Sequence, residues 1–166
     1  GIEGFCYWHY WFGNGKQLLE RPFNEVLASG KPDFPFCLGW ANHSWTTGTW
    51  TRGGDAQMIA EQTYPGKDDY LAHFQYALKA FQDERYITVD GKPLFVIFDP
   101  YALPHDFIPY WRELAEQAGL KGVHFVAYTF NALGHPIVAE NGEKITKGYF
   151  ATDEVYKYYN YLKKDL

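Results

Sequence analysis

Short apolar runs alternate along this chain with segments in which apolar residues recur at helical spacing. Four of the runs predict β-strands, because they are short and rich in aromatic or β-branched residues: residues 4–11, 34–40, 94–98 and 123–128. Residues 148–152, GYFAT, are a candidate fifth strand. The run LFVIF at 94–98 is continuous, which is typical of a strand buried in a parallel sheet.

Three segments between these runs predict α-helices, at residues 16–28, 68–81 and 105–118. Each places its apolar residues on one helical face, and Gly30 and Gly119 stand where the first and the third helix would end. Strands that alternate with helices favour a parallel sheet whose strands are joined by right-handed crossovers. The sequence therefore predicts an α/β fold.

Two α/β architectures fit this order of elements, an open doubly wound sheet and a (β/α)8 barrel of the TIM type. Polar and aromatic residues follow the C-terminal ends of successive predicted strands, and in a barrel those ends converge on one mouth, where active sites lie. The turn GNGK at residues 13–16 is too short for the glycine-rich phosphate loop that would support an open nucleotide-binding sheet. We therefore expect the barrel.

The chain has 166 residues, whereas a whole barrel needs about 200 or more. Its four to five predicted strand–helix units would make roughly half of a barrel. The chain has no initiator methionine and begins within a predicted strand. We interpret residues 1–166 as one partial barrel domain and as an internal segment of a longer protein. The remaining half would come from the same or another chain, because unpaired strand edges need a partner.

Aromatic residues make up 20% of the chain, and many of them stand beside polar residues at segment ends. The stretch WANHSWTTGTW at 40–50 begins a long irregular segment that runs to residue 66, and segments of that length are usually functional. Flat aromatic faces stack on sugar rings, so we predict a saccharide-binding site, with an apolar lid of tryptophans as the alternative. The candidate residues are His9, Tyr10, Trp11, Trp40, Asn42, His43, Trp45, Tyr101 and Asn131.

Catalytic carboxylates are the weakest part of this pattern, because glycoside chemistry needs two of them across the scissile bond. Asp99 and Glu154 are the candidates at predicted strand ends, and Asp99 has the alternative role of capping the turn before Pro100. No pair of carboxylates has a spacing that marks it as catalytic. The pattern favours a sugar-binding mouth over a complete acid–base site. Arg52, in the irregular segment, either contacts an anionic glycan or holds the loop.

Charge and composition argue against several kinds of partner. The net charge of −5 and the pI near 5.6 disfavour nucleic acid, which binds basic surfaces. No apolar run approaches the roughly 18 residues of a membrane-spanning helix. The six histidines lack metal-binding spacing, so we predict neither a metal nor another cofactor. Cys6 and Cys37 lie in apolar surroundings, which is typical of buried thiols and favours a reducing compartment.

Four motifs together carry a resemblance to a known family: WHYWFGNGK, DFPFCLGWANHSWT, DGKPLFVIFDP and WRELAEQAGL. With these motifs the chain resembles the WbsX-like group of glycoside hydrolase family 99-like proteins, over nearly all of residues 1–152. That group is linked to bacterial surface polysaccharide and O-antigen synthesis. The resemblance implies a (β/α)8 barrel that handles α-linked, often mannose-type, glycans as a glycosyltransferase or an endo-acting hydrolase. It also implies a bacterial cytoplasmic protein, with association with the envelope left open.

Two departures from the family pattern bear on activity. The family's second strand often ends W-A-N-E-N-W, whereas His43 and Ser44 stand here in place of Glu and Asn. The family's catalytic glutamates belong to an N-E-W-x-E-type motif, which residues 1–166 do not contain. The resemblance therefore implies that the catalytic pair lies outside this chain or has been lost. Two hypotheses follow, an enzyme that cleaves or transfers α-linked glycosyl units and a non-catalytic glycan-binding or scaffold module.

Overall fold

The computed structural model describes residues 1–49 and 56–128, together with the short strands at 137–138, 144–145 and 150–151. Its strands and helices, in chain order, are β1 (Phe5–His9), α1 (Arg21–Ser29), β2 (Phe36–Trp40), β3 (Trp45–Thr46), β4 (Met58–Ala60), α2 (Lys67–Phe81), β5 (Thr88–Val89), β6 (Lys92–Ile97), α3 (Phe107–Gln117), β7 (His124–Tyr128), β8 (Ile137–Val138), β9 (Lys144–Ile145) and β10 (Phe150–Ala151).

Four strands form a parallel sheet in the order β1-β2-β6-β7, which is also their order along the chain. The register sets Tyr7 opposite Leu38, Leu38 opposite Phe95, and Phe95 opposite Phe125. Since successive side chains of a strand point to alternate faces of the sheet, these four residues share one face. We call it the helical face, and we call the side that carries Trp8 the opposite face.

The four strands predicted for the parallel series are confirmed, with their ends shifted by a few residues. The candidate fifth strand is present as β10, but it runs antiparallel to β7, with Phe150 opposite Tyr128. A parallel strand needs a long crossover connection, usually a helix, and the chain has the β8–β9 hairpin between β7 and β10. The parallel series therefore ends at β7 within the described residues.

The three predicted helices are present, but α3 begins two residues later than expected and α1 begins five residues later. The prediction for the first helix began at residue 16, whereas α1 begins at Arg21. Pro22 lies in the first turn of α1, where its missing N–H costs nothing, and it could not lie six residues inside a helix without disrupting it. Residues 16–20 are instead irregular, and Gln17 pairs with Trp11 by an isolated β-bridge.

All three helices pack on the helical face through aromatic side chains. Phe23 of α1 meets Phe36 with ring centroids 5.6 Å apart. Phe81 of α2 and Trp111 of α3 both meet Phe95, at 6.1 and 4.9 Å. Burial of such a ring contributes roughly 2–3 kcal/mol, so these contacts dominate the core. A doubly wound sheet carries helices on both faces, and the described residues place them on one.

The opposite face is less covered, most clearly along β1. Trp8, whose side chain points to this face, is 41% exposed. Cys37 is buried as predicted, but the prediction that Cys6 is also buried is wrong, because its thiol is exposed. Within the described residues β1 pairs only with β2, so its outer edge gives Cys6 no cover. None of the helices in the described part of the chain is long and apolar enough to cross a membrane.

Candidate functional site

The C-terminal ends of β1, β2 and β6 meet at one edge of the sheet. Beyond the ends of the strands, the Ala41 amide donates to the His9 carbonyl, and the Phe98 amide donates to the Trp40 carbonyl, both at 3.0 Å. These bonds extend the parallel pairing past the last strand residues. They bring the segments around residues 10, 42 and 99 to the same edge, as the sequence predicts for residues that follow parallel strands.

Trp40 and Trp11, both predicted to stack on a sugar, lie in the core. They are 1% and 4% exposed. The Trp40 indole contacts the His73 and Phe107 rings at 4.6 and 5.2 Å, and its Nε1 donates to the Trp11 carbonyl at 3.0 Å. The Trp11 Nε1 donates to the Asp69 carboxylate at 3.1 Å. Neither indole offers a face to a ligand here, so we correct their role from stacking platforms to packing.

His9 is also in the core, paired with a second histidine. The Nε2 atoms of His9 and His73 lie 2.7 Å apart, and the ring of Trp11 stacks on His73 while the ring of Tyr76 stacks on His9. Burial lowers the pKa of His9 to about 3 and holds the pKa of His73 well below its ordinary value. Both rings are therefore neutral, and one Nε2–H donates to the other Nε2. His9 joins β1 to α2 and does not face the sheet edge as a ligand-binding group.

Asn42 has no exposed surface, and its amide holds the backbone at the end of β6. Its Oδ1 accepts from the Asp99 amide at 2.7 Å, and its Nδ2 donates to the Asp99 carbonyl at 2.6 Å and to the Tyr64 hydroxyl at 3.0 Å. We call this arrangement the Asn42 clamp. The side chain predicted to bind a sugar hydroxyl instead fixes Asp99 relative to β2.

Asp99 lies half-buried at this edge. Its Oδ1 accepts from the Ala102 amide at 3.2 Å. The single 3₁₀ turn at Pro100–Ala102 follows directly, so the carboxylate caps that turn, which is the alternative role that the sequence left open. A carboxylate is a hydrogen-bond acceptor, and the Asn42 clamp fixes the backbone that carries this one.

Tyr10 and Trp45 are half-buried and lie against each other at the same edge. The Tyr10 ring meets Trp45 edge-on at 4.9 Å, and Phe12 meets Trp45 edge-on at 5.5 Å. Partial burial raises the pKa of the Tyr10 hydroxyl above its ordinary value, so it stays protonated near neutral pH. Of the predicted aromatic site residues whose side chains the structure describes, these two keep part of their surface accessible.

His43 is half-buried between Phe98 and Asp99. Its ring lies 4.9 Å from that of Phe98. Burial lowers the pKa of the His43 imidazole, and the charge of Asp99 opposes that effect, so the ring is neutral near pH 7. Its Nδ1 is buried and makes no hydrogen bond within the described residues. A neutral imidazole with one unused nitrogen suits hydrogen bonding to a hydroxyl.

Trp8 was missed by sequence reasoning, which selected residues 9–11. Its indole lies across Gly39, since a Cβ at Gly39 would stand 3.1 Å from the six-membered ring, and it meets Phe98 edge-on at 5.7 Å. Trp8 is 41% exposed, whereas Trp11, Trp40 and Trp111 are 4%, 1% and 0% exposed. The available signal was Gly39 itself, because a glycine inside a strand often marks close approach by a neighbour.

Other predicted site residues are described only in part or lie beyond the described chain. Tyr101 belongs to the 3₁₀ turn at Pro100–Ala102, and only its backbone is described. Arg52, Asn131 and Glu154 lie outside the described residues. Within the part that is described, no group of three or more His, Cys, Asp or Glu side chains converges so as to hold a metal ion.

Comparison with known proteins places the chain in a family. The family model described as glycosyltransferase WbsX matches residues 1–161. Two curated relatives, both called uncharacterized protein WxcX, come from Xanthomonas campestris pv. campestris strains B100 and ATCC 33913. Each is 32% identical over 126 residues, which is 75% of this chain and 18% of the relative.

The chain spans about a fifth of the length of these relatives, since the matched part is 18% of each. No solved structure matches it significantly. The family match covers nearly the whole chain and agrees with the identity to the WxcX proteins. This chain belongs to the WbsX glycosyltransferase family.

Proposed function

We propose that this chain forms the saccharide-binding part of a WbsX-family protein that acts on α-linked, mannose-type glycans during the synthesis of bacterial surface polysaccharide. The observation that supports it most is the group of partly accessible aromatic and polar side chains at the C-terminal sheet edge. We call this group the edge cluster. Its members are Trp8, Tyr10, His43, Trp45, Phe98 and Asp99.

The chemistry of the edge cluster suits a sugar. Exposed indole and phenol rings offer flat apolar surfaces to the C–H faces of a pyranose ring. The neutral His43 ring and the Tyr10 hydroxyl can each donate or accept a hydrogen bond, while the Asp99 carboxylate accepts from a hydroxyl. Apolar surface with a few fixed polar groups is the usual composition of a small-ligand site.

We further propose that the parallel sheet is part of a (β/α)8 barrel and that the edge cluster lies at its mouth. Two features support this: β1, β2, β6 and β7 are adjacent in their chain order, and the helices in the described part of the chain all cover the same face. In a barrel the opposite face would point inward and the C-terminal strand ends would converge. The remaining strands, and the carboxylate pair for transfer or hydrolysis, would come from elsewhere in the protein or from another chain.

The proposal is tested by titrating the chain with α-linked manno-oligosaccharides and following heat by calorimetry, with a β-linked gluco-oligosaccharide of equal length as comparison. We expect saturable binding of the α-linked series, lost or weakened by about tenfold or more in Trp8→Ala and Trp45→Ala, since one stacked ring contributes on the order of 1–2 kcal/mol. Leu19→Ala is the matched control, because Leu19 is 63% exposed and lies outside the edge cluster.

Two results would refute this function. One is the absence of saturable binding to every α-linked oligosaccharide in the series by a folded chain. The other is binding that Trp8→Ala and Trp45→Ala leave unchanged, which would place any sugar away from the edge cluster.

The non-catalytic alternative is a glycan-binding or scaffold module within a biosynthetic assembly. It is favoured by Asp99, whose carboxylate caps a turn as a structural group would. Product analysis with the longer protein, which would carry the carboxylate pair proposed to lie outside this chain, separates the two functions. Transfer or hydrolysis products that disappear in Asp99→Asn would support an enzyme, whereas saturable binding without products would support the module.

A further inference from the structure

Cys6 and Cys37 stand directly opposite each other on neighbouring strands. The parallel register of β1 and β2 pairs Cys6 with Cys37, so both side chains point to the opposite face of the sheet. Neighbouring strands lie about 4.8 Å apart, which is within the Cα separation of about 4.4–6.8 Å that a disulfide spans. Both are free thiols in this structure, Cys6 exposed and Cys37 buried.

We propose that Cys6 and Cys37 form a redox site, in which a low-molecular-weight disulfide such as glutathione disulfide oxidises the two thiols to an intramolecular disulfide between β1 and β2. This goes beyond the glycan-binding function, and it requires that the opposite face of the sheet is accessible in the reacting state, as it is in this structure. The strand register brings the two cysteines close together. Because Cys6 is exposed and Cys37 is buried, Cys6 should react with the oxidant first.

The two thiols have different roles because their environments differ. Hydrogen bonding from the Cys37 thiol lowers the pKa of Cys6, and the same contact raises the pKa of Cys37. Cys6 is therefore both the more accessible sulfur and the one that ionises first. It is the attacking group, and the buried Cys37 is the resolving group.

The reaction is balanced by two successive exchanges. The Cys6 thiolate attacks one sulfur of glutathione disulfide, forming a mixed disulfide and releasing one glutathione thiolate, which takes up the proton lost from Cys6. Cys37 then gives up its proton and attacks the Cys6 sulfur, which forms the protein disulfide and releases the second glutathione as a thiol. Two protein thiols are oxidised, and one low-molecular-weight disulfide is reduced to two thiols.

Trp8 and Gly39 lie beside this site and provide an optical signal. They occupy the next positions on the same face, and the Cys6 Sγ lies 2.9 Å from where a Cβ at Gly39 would stand. Because a neighbouring disulfide quenches indole emission, oxidation should dim Trp8. A completed barrel would enclose this face, so the reaction is to be measured on the chain itself.

The test is incubation of the reduced full chain with glutathione disulfide, followed by acid quenching, intact mass spectrometry and peptide mapping without reductant. We expect the wild type to lose the mass of two hydrogens and to yield a peptide in which Cys6 is linked to Cys37. Cys37→Ser and Cys37→Ala should both stop at a stable mixed disulfide on Cys6. Cys6→Ser should react with glutathione disulfide at least about tenfold more slowly than the wild type, because its remaining thiol, Cys37, is buried.

Three results would overturn the redox site. A wild type that keeps one glutathione would show that Cys37 cannot resolve the mixed disulfide, and a covalent dimer would show that Cys6 pairs between molecules. Equal rates of internal disulfide formation in native and guanidinium-unfolded chains would show that the strand register contributes nothing. None of these results bears on sugar binding, so a failure here is distinguishable from a failure of the proposed function.

Discussion

Trp8 and Trp40 belong to neighbouring parallel strands and yet meet different surroundings. Trp40 points to the helical face, is 1% exposed, and lies against α2 and α3 through His73 and Phe107. Trp8 points to the opposite face, is 41% exposed, and lies across Gly39. Residue type is the same in both places, but the side of the strand differs, and so does the strand, because β1 lies at the edge of the described sheet and β2 lies inside it. The position of a tryptophan in the strand alternation, more than its polar neighbours in sequence, decides whether it packs or can bind.

The largest effect should come from deleting a ring on the helical face. Trp40→Ala should lower the free energy of unfolding by about 3–5 kcal/mol, because it opens a cavity among α2 and α3 and removes the hydrogen bond to the Trp11 carbonyl. Trp8→Ala should cost less than about 1 kcal/mol, since its ring is partly in water. Urea denaturation followed by circular dichroism measures both. An equal decrease in the free energy of unfolding of the two variants would contradict the difference between the two faces.

Acid should weaken the helical face through the His9–His73 pair. An unfolded histidine takes up a proton near its ordinary pKa of 6.5, whereas His9 in the folded chain does so only at about 3. Stability is therefore complete above pH 6.5 and falls as the pH drops from 6.5 towards 3, by about 1.4 kcal/mol per pH unit for each proton that only the unfolded state binds.

This pH effect is measured by denaturant titrations at several pH values between 7 and 4. The double variant His9→Leu with His73→Leu serves as the comparison, because it lacks both titrating rings and carboxylates still titrate in it. A wild type whose stability has the same pH dependence as the double variant would contradict the buried neutral pair.

Loss of the Asn42 clamp should have an intermediate effect. Asn42→Ala leaves the Asp99 amide and carbonyl without their partners, which should cost about 1–3 kcal/mol. Tyr64→Phe removes the hydroxyl that accepts from the Asn42 Nδ2 and donates to the Asn42 carbonyl, but it leaves both bonds to Asp99 intact and should cost less. The two variants are compared by denaturation, and by the affinity for whichever oligosaccharide the wild type binds. If Asn42→Ala lowers stability but leaves the affinity for the oligosaccharide unchanged, the Asn42 clamp contributes to the fold and not to binding.

The smallest effect on stability should come from Gly39→Ala on the opposite face. The added methyl would meet the Trp8 ring at 3.1 Å and the Cys6 Sγ at 2.9 Å, and an exposed indole can move aside. We expect a loss of about 1 kcal/mol or less, at the low end of overpacking effects. The indole should shift, which near-ultraviolet circular dichroism detects, with Trp8→Phe identifying its signal. An unchanged spectrum would mean that Trp8 does not lie on Gly39.

Local patterns predicted much of this fold. The apolar stripe of residues 68–81 identified α2, and the continuous run at 94–98 identified most of β6. Spacing also predicted that polar residues after β1, β2 and β6 would meet at one edge. The predicted start of α1 was wrong, because the apolar spacing continues before Pro22 but a helix cannot hold a proline well inside it.

The roles of single site residues depended on contacts between distant parts of the chain. The His9–His73 bond joins residues 64 positions apart, and the Asn42–Asp99 bonds join residues 57 positions apart. No local pattern specifies such pairs. The run FCYWH has aromatic residues on both sides of its alternation, so its pattern cannot show that His9 faces the helices and Trp8 does not.

The Asn42 clamp binds only main-chain atoms of residue 99, so it is indifferent to the side chain that residue carries. A substitution at Asp99 would remove one turn cap and leave the amide pair intact, whereas most substitutions at Asn42 would disturb the path of the loop. The two positions should therefore tolerate mutation very differently, with residue 42 nearly fixed and residue 99 open to change. Such a division lets the chemistry at this edge diversify among descendants while its architecture is inherited unaltered.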